Sequence, residues 1–185
     1  VASDGGIFSF GDAGFYGSTG AIRLNQPIVG MASTASGHGY WLVAADGGIF
    51  AYGDAAFLGS TGGMRLNRPV VGMAVDRATG GYWLVASDGG IFAYGAPFFG
   101  STGAMHLNQP VVGMMAAPDG SGYRFVAADG GVFCYDLPFY GSTGAIRLNQ
   151  PMVAGLDDDA TGGYWLTAAD GGVFSFNAPF LGSAA

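Results

Sequence analysis

The sequence predicts an all-β fold: a β-propeller of four-stranded antiparallel blades, most simply five blades with the first incomplete. Three observations lead there. First, Asp-Gly-Gly followed by a short apolar run begins at Asp4, Asp46, Asp88, Asp129 and Asp170, so the copies lie 42, 42, 41 and 41 residues apart. That period suits a propeller blade and is too long for one coil of a simple β-solenoid. Second, the chain has 36 glycines and 14% aromatic residues but no Lys and no Glu, which removes strong helix formers and favours strands and turns. Third, the apolar runs barely alternate, so both of their faces need cover, as happens when sheets stack around an axis.

Each element follows from one unit, residues 69–102. "PVVGMAV" is strand A, and Pro69 stands before it, where a missing N–H does least harm; Pro27, Pro110 and Pro151 repeat the device. "DRATGG" is a turn and "YWLVAS" is strand B. "DGG" is a tight hairpin turn, because Gly takes the positive φ that such turns require. "IFAYG" is strand C, "FFGST" is strand D, and "GAMHLNQP" leads to the next strand A. The blades fall at about 1–18, 28–60, 70–101, 111–142 and 152–183 of a single domain, 1–185. Because the chain opens and stops inside its own repeat, a processed piece of a longer protein, a fragment of a larger ring and a strand supplied by another chain all remain open.

Side chains alternate along a strand, so neighbours such as Tyr40 and Trp41 face opposite sides and need two adjacent blades to bury them. The columns Tyr40, Tyr82, Tyr123, Tyr164 and Phe8, Phe50, Phe92, Phe133, Phe174 are therefore expected to fill the gaps between blades. Cys134 is the only cysteine and shares its column with Ser9, Ala51, Ala93 and Ser175, so it reads as a small core residue.

A net charge of −7, carried by Asp, argues against a nucleic-acid partner, which needs Lys and Arg to displace counterions. Mean hydropathy is high at +0.35, yet runs such as "YWLVAA" are far too short for a transmembrane helix. The strands also lack the ten-residue alternation of a membrane β-barrel.

The stretch "MMAAPDGSGYRFVAADGGVF" (114–133) resembles the YVTN-type propeller repeat, and the whole unit is similar to tandem repeats of secreted bacterial surface and cell-wall-associated proteins. The resemblance spans nearly the entire chain, although Pro-Asp-Gly occurs once and the last strand A reads "PMVAGLDDD". It implies a propeller that is secreted or held at the cell surface, and it carries over no catalytic residue.

In such a blade the B-to-C turn and the D-to-A linker share one rim, which is nearly constant between repeats. The other rim varies: "STASGH", "DRAT", "APDGS" and "DDDAT". Two roles compete for the constant rim. In one, Asp caps its own turn, Asn25, Asn67, Asn108 and Asn149 make Asx turns, and Arg23, Arg65 and Arg147 latch blades by pairing with Asp. In the other, Asp46, Asp88 and Asp129 join those Asn and Arg residues, and His106 in the third linker, around shallow pockets with a Tyr or Trp edge as platform. Repeated weak pockets of this kind suit a glycan or cell-wall polymer. The alternative is a structural propeller that self-associates or supports an attached domain.

Nothing points to an enzyme or a cofactor. The residues that break the repeat are His38, His106, Arg124, Asp136 and the run Asp157-Asp158-Asp159, and no nucleophile stands beside a base in a recognised pattern. The Asp157–Asp159 run is a solvated acidic turn before it is a calcium loop, so no metal ligand is assigned.

Overall fold

The computed structural model describes residues 1–184. The chain is all-β among those residues, with twelve strands in four antiparallel sheets of three. The first sheet is β1 (Ile28–Ser33), β2 (Gly39–Ala44) and β3 (Ile49–Gly53). The second is β4 (Val70–Val75), β5 (Tyr82–Ala86) and β6 (Ile91–Tyr94). β7 (Val111–Ala116), β8 (Tyr123–Ala127) and β9 (Val132–Tyr135) form the third. β10 (Met152–Asp157), β11 (Tyr164–Ala168) and β12 (Val173–Phe176) complete the fourth. Strands A, B and C of the sequence pattern are all present, with a register shift at Gly30, Gly72, Gly113 and Ala154 in the four A strands.

Strand A of each sheet lies innermost: β1 packs on β4, β4 on β7, and β7 on β10. No comparable contact among the described residues joins β10 back to β1. The sheets thus stand as blades around part of an axis, leaving Val29, Met31, Val153 and Leu156 exposed on the unclosed side.

The middle strands carry the core. β2, β5 and β8 are buried at every position: β5 and β8 have a sheet on either side, and β2 has the second sheet on one side and Ile7, Tyr16 and Leu24 on the other. As expected, neighbouring aromatics serve opposite faces. Trp41 and Tyr82 share one cluster between the first and second sheets, whereas Tyr40 packs with Tyr16, Leu24 and Tyr52 on the other face. Trp83 and Tyr123 repeat the contact one blade on, with ring centroids 5.3 Å apart. Apolar burial of this size stabilises by about 1.5–3 kcal/mol per side chain.

The four-stranded blade is corrected to three strands. Segment D, "FFGST" in the second unit, is irregular in every repeat, and its main-chain groups bond side chains instead of strand C. Trp41 Nε1 donates to the Ala56 carbonyl at 2.8 Å, the Leu58 amide donates to the Tyr82 hydroxyl at 3.1 Å, and that hydroxyl donates to the Gly59 carbonyl at 2.7 Å. Gly59 has φ 141°, and the Tyr94 ring stands where a Cβ would project. A ladder hydrogen bond is replaced by a lateral tie to the next blade.

Five blades are corrected to four sheets. Residues 1–27 make the first Asp-Gly-Gly turn but no strand, because the segment lacks strand A and most of strand B, and strand C cannot pair alone. Ile7, Tyr16 and Leu24 pack against the first sheet, while Phe8, expected between blades, is 72% exposed.

Trp83 is fully buried and Trp165, at the same place in the last sheet, is half-buried. Trp83→Ala should cost about 3–5 kcal/mol, lowering the melting temperature by on the order of 10 °C. Trp165→Ala should lower it by roughly half that or less, and equal shifts measured by calorimetry would contradict the packing order.

Candidate functional site

The constant rim is assembled from main chain. In each repeat the Asp of the Asp-Gly-Gly turn caps its own turn: the Gly48, Gly90, Gly131 and Gly172 amides donate to Oδ1 of Asp46, Asp88, Asp129 and Asp170 at 2.9–3.0 Å. Gly47 has φ 74°, and a Cβ there would collide with Thr61 Oγ1, which donates to the Asp46 carbonyl at 2.9 Å. A relay of amides then crosses the rim. Ala45 donates to the Pro27 carbonyl and Val70 donates to the Ala45 carbonyl; Ser87, Val111, Ala128 and Met152 continue the sequence at 2.8–2.9 Å.

Against that frame the linker side chains stand apart. Arg23, Arg65, Arg147, Asn25, Asn67, Asn108 and Asn149 are exposed and make no side-chain hydrogen bond or ion pair among the described residues. The Asp caps are therefore formed, whereas the Asx turns and the Arg latches are not.

Three hollows open along this rim. One, of about 420 Å³, brings together Asp88, His106 and Asn108. A second, of about 330 Å³, holds Asp129 and Asn149, and a third, of about 260 Å³, places Asp129 beside His106 and Asn108. Arg147 is not among the lining residues of the second, and Asp46, Arg65, Asn67, Arg23 and Asn25 are not drawn into any of the three. Their apolar walls are Met105, Leu107, Ile146, Leu148 and Phe133 in place of the Tyr or Trp edge, because the Tyr and Trp columns are committed to the blade gaps.

Sequence reasoning missed two exposed apolar columns. Phe15, Phe57, Phe98, Phe139 and Phe180 are each 59–61% exposed, and Ile22, Met64, Met105 and Ile146 are each 55–58% exposed. Their recurrence was visible, but the Phe column fell in an expected strand D that would have buried it, and the Ile and Met column fell in the linker.

The variable rim carries a hollow of about 690 Å³, lined by the inner strands through Met31, Met73 and Met114 and by Arg77 and Asp157. Asp136, one of the residues that break the repeat, takes φ 53° where Gly53 and Gly95 stand in earlier units, so it serves a turn. Arg124 is different. It occupies the Trp column, is 2% exposed, and reproduces what Trp does there: Nη2 donates to the Pro138 carbonyl, and the guanidinium lies 5.0 Å from the Tyr164 ring centroid. Its charge is met by Asp157 at 2.5 Å, in a column otherwise holding Ser33, Val75 and Ala116. Burial pushes the Asp157 carboxyl above the usual carboxylate range while the guanidinium pulls it down. Asp158 caps its own turn through the Ala160 amide and the Thr161 hydroxyl, so two of the three acids of the supposed calcium loop have internal tasks. Cys134 lies opposite Arg124 across the β8 and β9 pair, and burial pushes its thiol up, away from the thiolate a nucleophile needs.

No family model and no curated protein matches the sequence. Solved structures similar in fold include the C-terminal WD40 domain of Sif2, at 16% identity and TM-score 0.52 over 80% of this chain and 45% of that one. The β-propeller domain of Myceliophteria thermophila Cps50 (Swd1) is similar at 11% identity and TM-score 0.55, over 85% of this chain and 54% of that one. A structural genomics protein of unknown function from Bacteroides thetaiotaomicron is similar at 11% identity and TM-score 0.50, over 76% and 44%. The chain spans about half the length of these proteins, and the likeness establishes the propeller fold. No helix among the described residues is long and apolar enough to cross a membrane.

Asp157→Ala should destabilise by about 3–5 kcal/mol, because it leaves the Arg124 guanidinium buried without a counter-charge. Arg124→Trp with Asp157→Val restores the residues of the other repeats and should return stability to within about 1 kcal/mol of the parent in urea unfolding.

Proposed function

We propose that the chain is a non-catalytic, multivalent binding module that recognises carbohydrate or cell-envelope polymer through repeated hollows on its constant rim. The reading places it outside the cell or at the cell surface. One observation carries it: successive linkers line equivalent hollows with an Asp and an Asn, and the Asn side chains have no internal partner. A side chain repeated at 41–42-residue intervals without a structural bond is free to meet a ligand.

The chemistry suits sugars. Carboxylate and carboxamide groups bond hydroxyls directionally, and the aliphatic walls offer Met105 and Ile146 to a C–H face. Each hollow is shallow and binds weakly; several on one rigid frame bind a repetitive polymer by avidity. The surplus of Asp on the chain selects against polyanions.

A second reading, a propeller that assembles with like chains or supports an attached domain, is favoured by the unclosed side of the arc. Val153 and Leu156 are 50% and 66% exposed there, and Phe180 and Leu181 are 61% and 84% exposed in the segment following β12.

Glycan-array and polysaccharide pull-down measurements separate the two. Asn108→Ala and Asn149→Ala should each weaken polymer binding several-fold, and together by about tenfold to a hundredfold, with an unchanged melting temperature. Absence of polymer binding, together with concentration-dependent self-association on sizing, would replace the first reading by the second.

A further inference from the structure

Every joint between neighbouring units is made in the same way. The Tyr at the head of a middle strand accepts an amide of the preceding segment D and donates its hydroxyl to the next carbonyl. Tyr40 does so with Tyr16 and Gly17, Tyr82 with Leu58 and Gly59, Tyr123 with Phe99 and Gly100, and Tyr164 with Tyr140 and Gly141. The strand C ring of the same sheet, Tyr52, Tyr94, Tyr135 or Phe176, occupies the place where a Cβ on that glycine would project. Gly182 repeats the backbone of these glycines, with φ 125° against 131–142°. Yet nothing among the described residues stands where its Cβ would project. Leu181 beside it is 84% exposed, whereas Leu58 and Tyr140 in the same column are 43% and 39% exposed. The segment following β12 thus has the shape of a joint whose second half is open.

The matching half lies at the other end of the arc. Phe10 stands in the column of Tyr52 and Tyr94, and Phe8 in that of Phe50 and Phe92. In the second sheet these columns face the unit before: Phe92 and Tyr94 pack on the cluster that contains Trp41 of the first sheet. Phe8 and Phe10 are 72% and 83% exposed, with no preceding unit to cover. They are nonetheless held in place. The Gly6 amide donates to Asp4 Oδ1 at 2.8 Å, Thr19 Oγ1 donates to the Asp4 carbonyl at 3.0 Å, and the Ile28 amide donates to the Ser3 carbonyl at 2.8 Å, as in the complete repeats.

We infer that a second copy of this chain docks head to tail, Phe8 and Phe10 of one copy meeting Trp165, Leu181 and Gly182 of the next, with the Phe10 ring over Gly182. The occupant is a second copy because this chain carries both halves of the joint, and no comparable contact joins its own first and fourth sheets. The inference rests on the second reading above, self-association, and names the two surfaces that meet. The contact is heterologous, so each added copy presents a fresh end and assembly continues. Residues 1–27 supply no Tyr in the middle-strand position, so this joint has the ring contact without the hydroxyl bridge and is weaker than the internal ones.

Sedimentation velocity of the whole chain should give a mass that climbs from 18.7 kDa as concentration rises, with a Kd on the order of 100 μM. Phe8→Ser/Phe10→Ser removes the head and Leu181→Asp the tail. All three side chains are exposed, so both variants should keep the parent melting temperature. Each alone should associate at least about tenfold more weakly. An equal mixture should regain one contact of parental affinity and stop at the dimer, because the intact tail of the first variant meets the intact head of the second. A chain that remains monomeric up to about 1 mM overturns the proposal and the self-association reading together. A chain that associates while either variant does so equally well, or a mixture of the variants that stays monomeric, overturns this joint and leaves self-association standing.

Discussion

The structure depends on a lateral contact between a middle strand and the segment that leads to the next blade. Trp41 holds the Ala56 carbonyl from one side, and Tyr82 holds the Leu58 amide and the Gly59 carbonyl from the other. Trp83 with the Pro97 carbonyl, and Tyr123 with Phe99 and Gly100, repeat the arrangement. Buried main-chain groups must be paired, and here the partners are the polar tips of rings whose bodies fill the blade gap. A single residue thus supplies apolar area and a hydrogen bond to irregular backbone. This joint fixes the step from each sheet to its neighbour and, with it, the spacing of everything on either rim.

The fold was legible where periodicity is local. Asp-Gly-Gly turns, the proline before each strand A and the opposite faces of Tyr40 and Trp41 follow from turn chemistry and strand alternation, and all are present. Segment D was illegible because an apolar run that pairs with a strand and one tied by Trp and Tyr side chains have the same pattern. The first repeat was misjudged because a strand needs a partner, and residues 1–27 contain too little of strands A and B to provide one. On the rim, the Asp residues could be placed but not their company. Whether Arg147 reaches the hollow of Asp129 and Asn149 depends on a linker path that no spacing rule sets.

Constancy along the rim has a largely structural origin, which narrows the residues open to function. The turn Gly cannot carry a Cβ beside the Thr hydroxyl, and Asp is held by its own turn amide. What remains unexplained by folding is the exposed Asn and Arg set and the aliphatic column of Met64, Met105 and Ile146. The exception at Arg124 shows how the frame tolerates change. A guanidinium stacks on Tyr164 and bonds Pro138 as the indole would, and the cost of its charge falls on Asp157 in the facing strand.

The bare outer face of the fourth sheet has a thermodynamic consequence. Joints between adjacent sheets are near copies, and no comparable contact among the described residues joins β10 to β1, so their contribution to folding is close to a sum of nearest-neighbour increments. Among the described residues the fourth sheet, with Trp165 half-covered, has one such joint where the second and third sheets have two. Cooperativity across these residues is therefore expected to be graded, with amide exchange faster in β10–β12, where Trp165 is half-covered, than in β5 and β8.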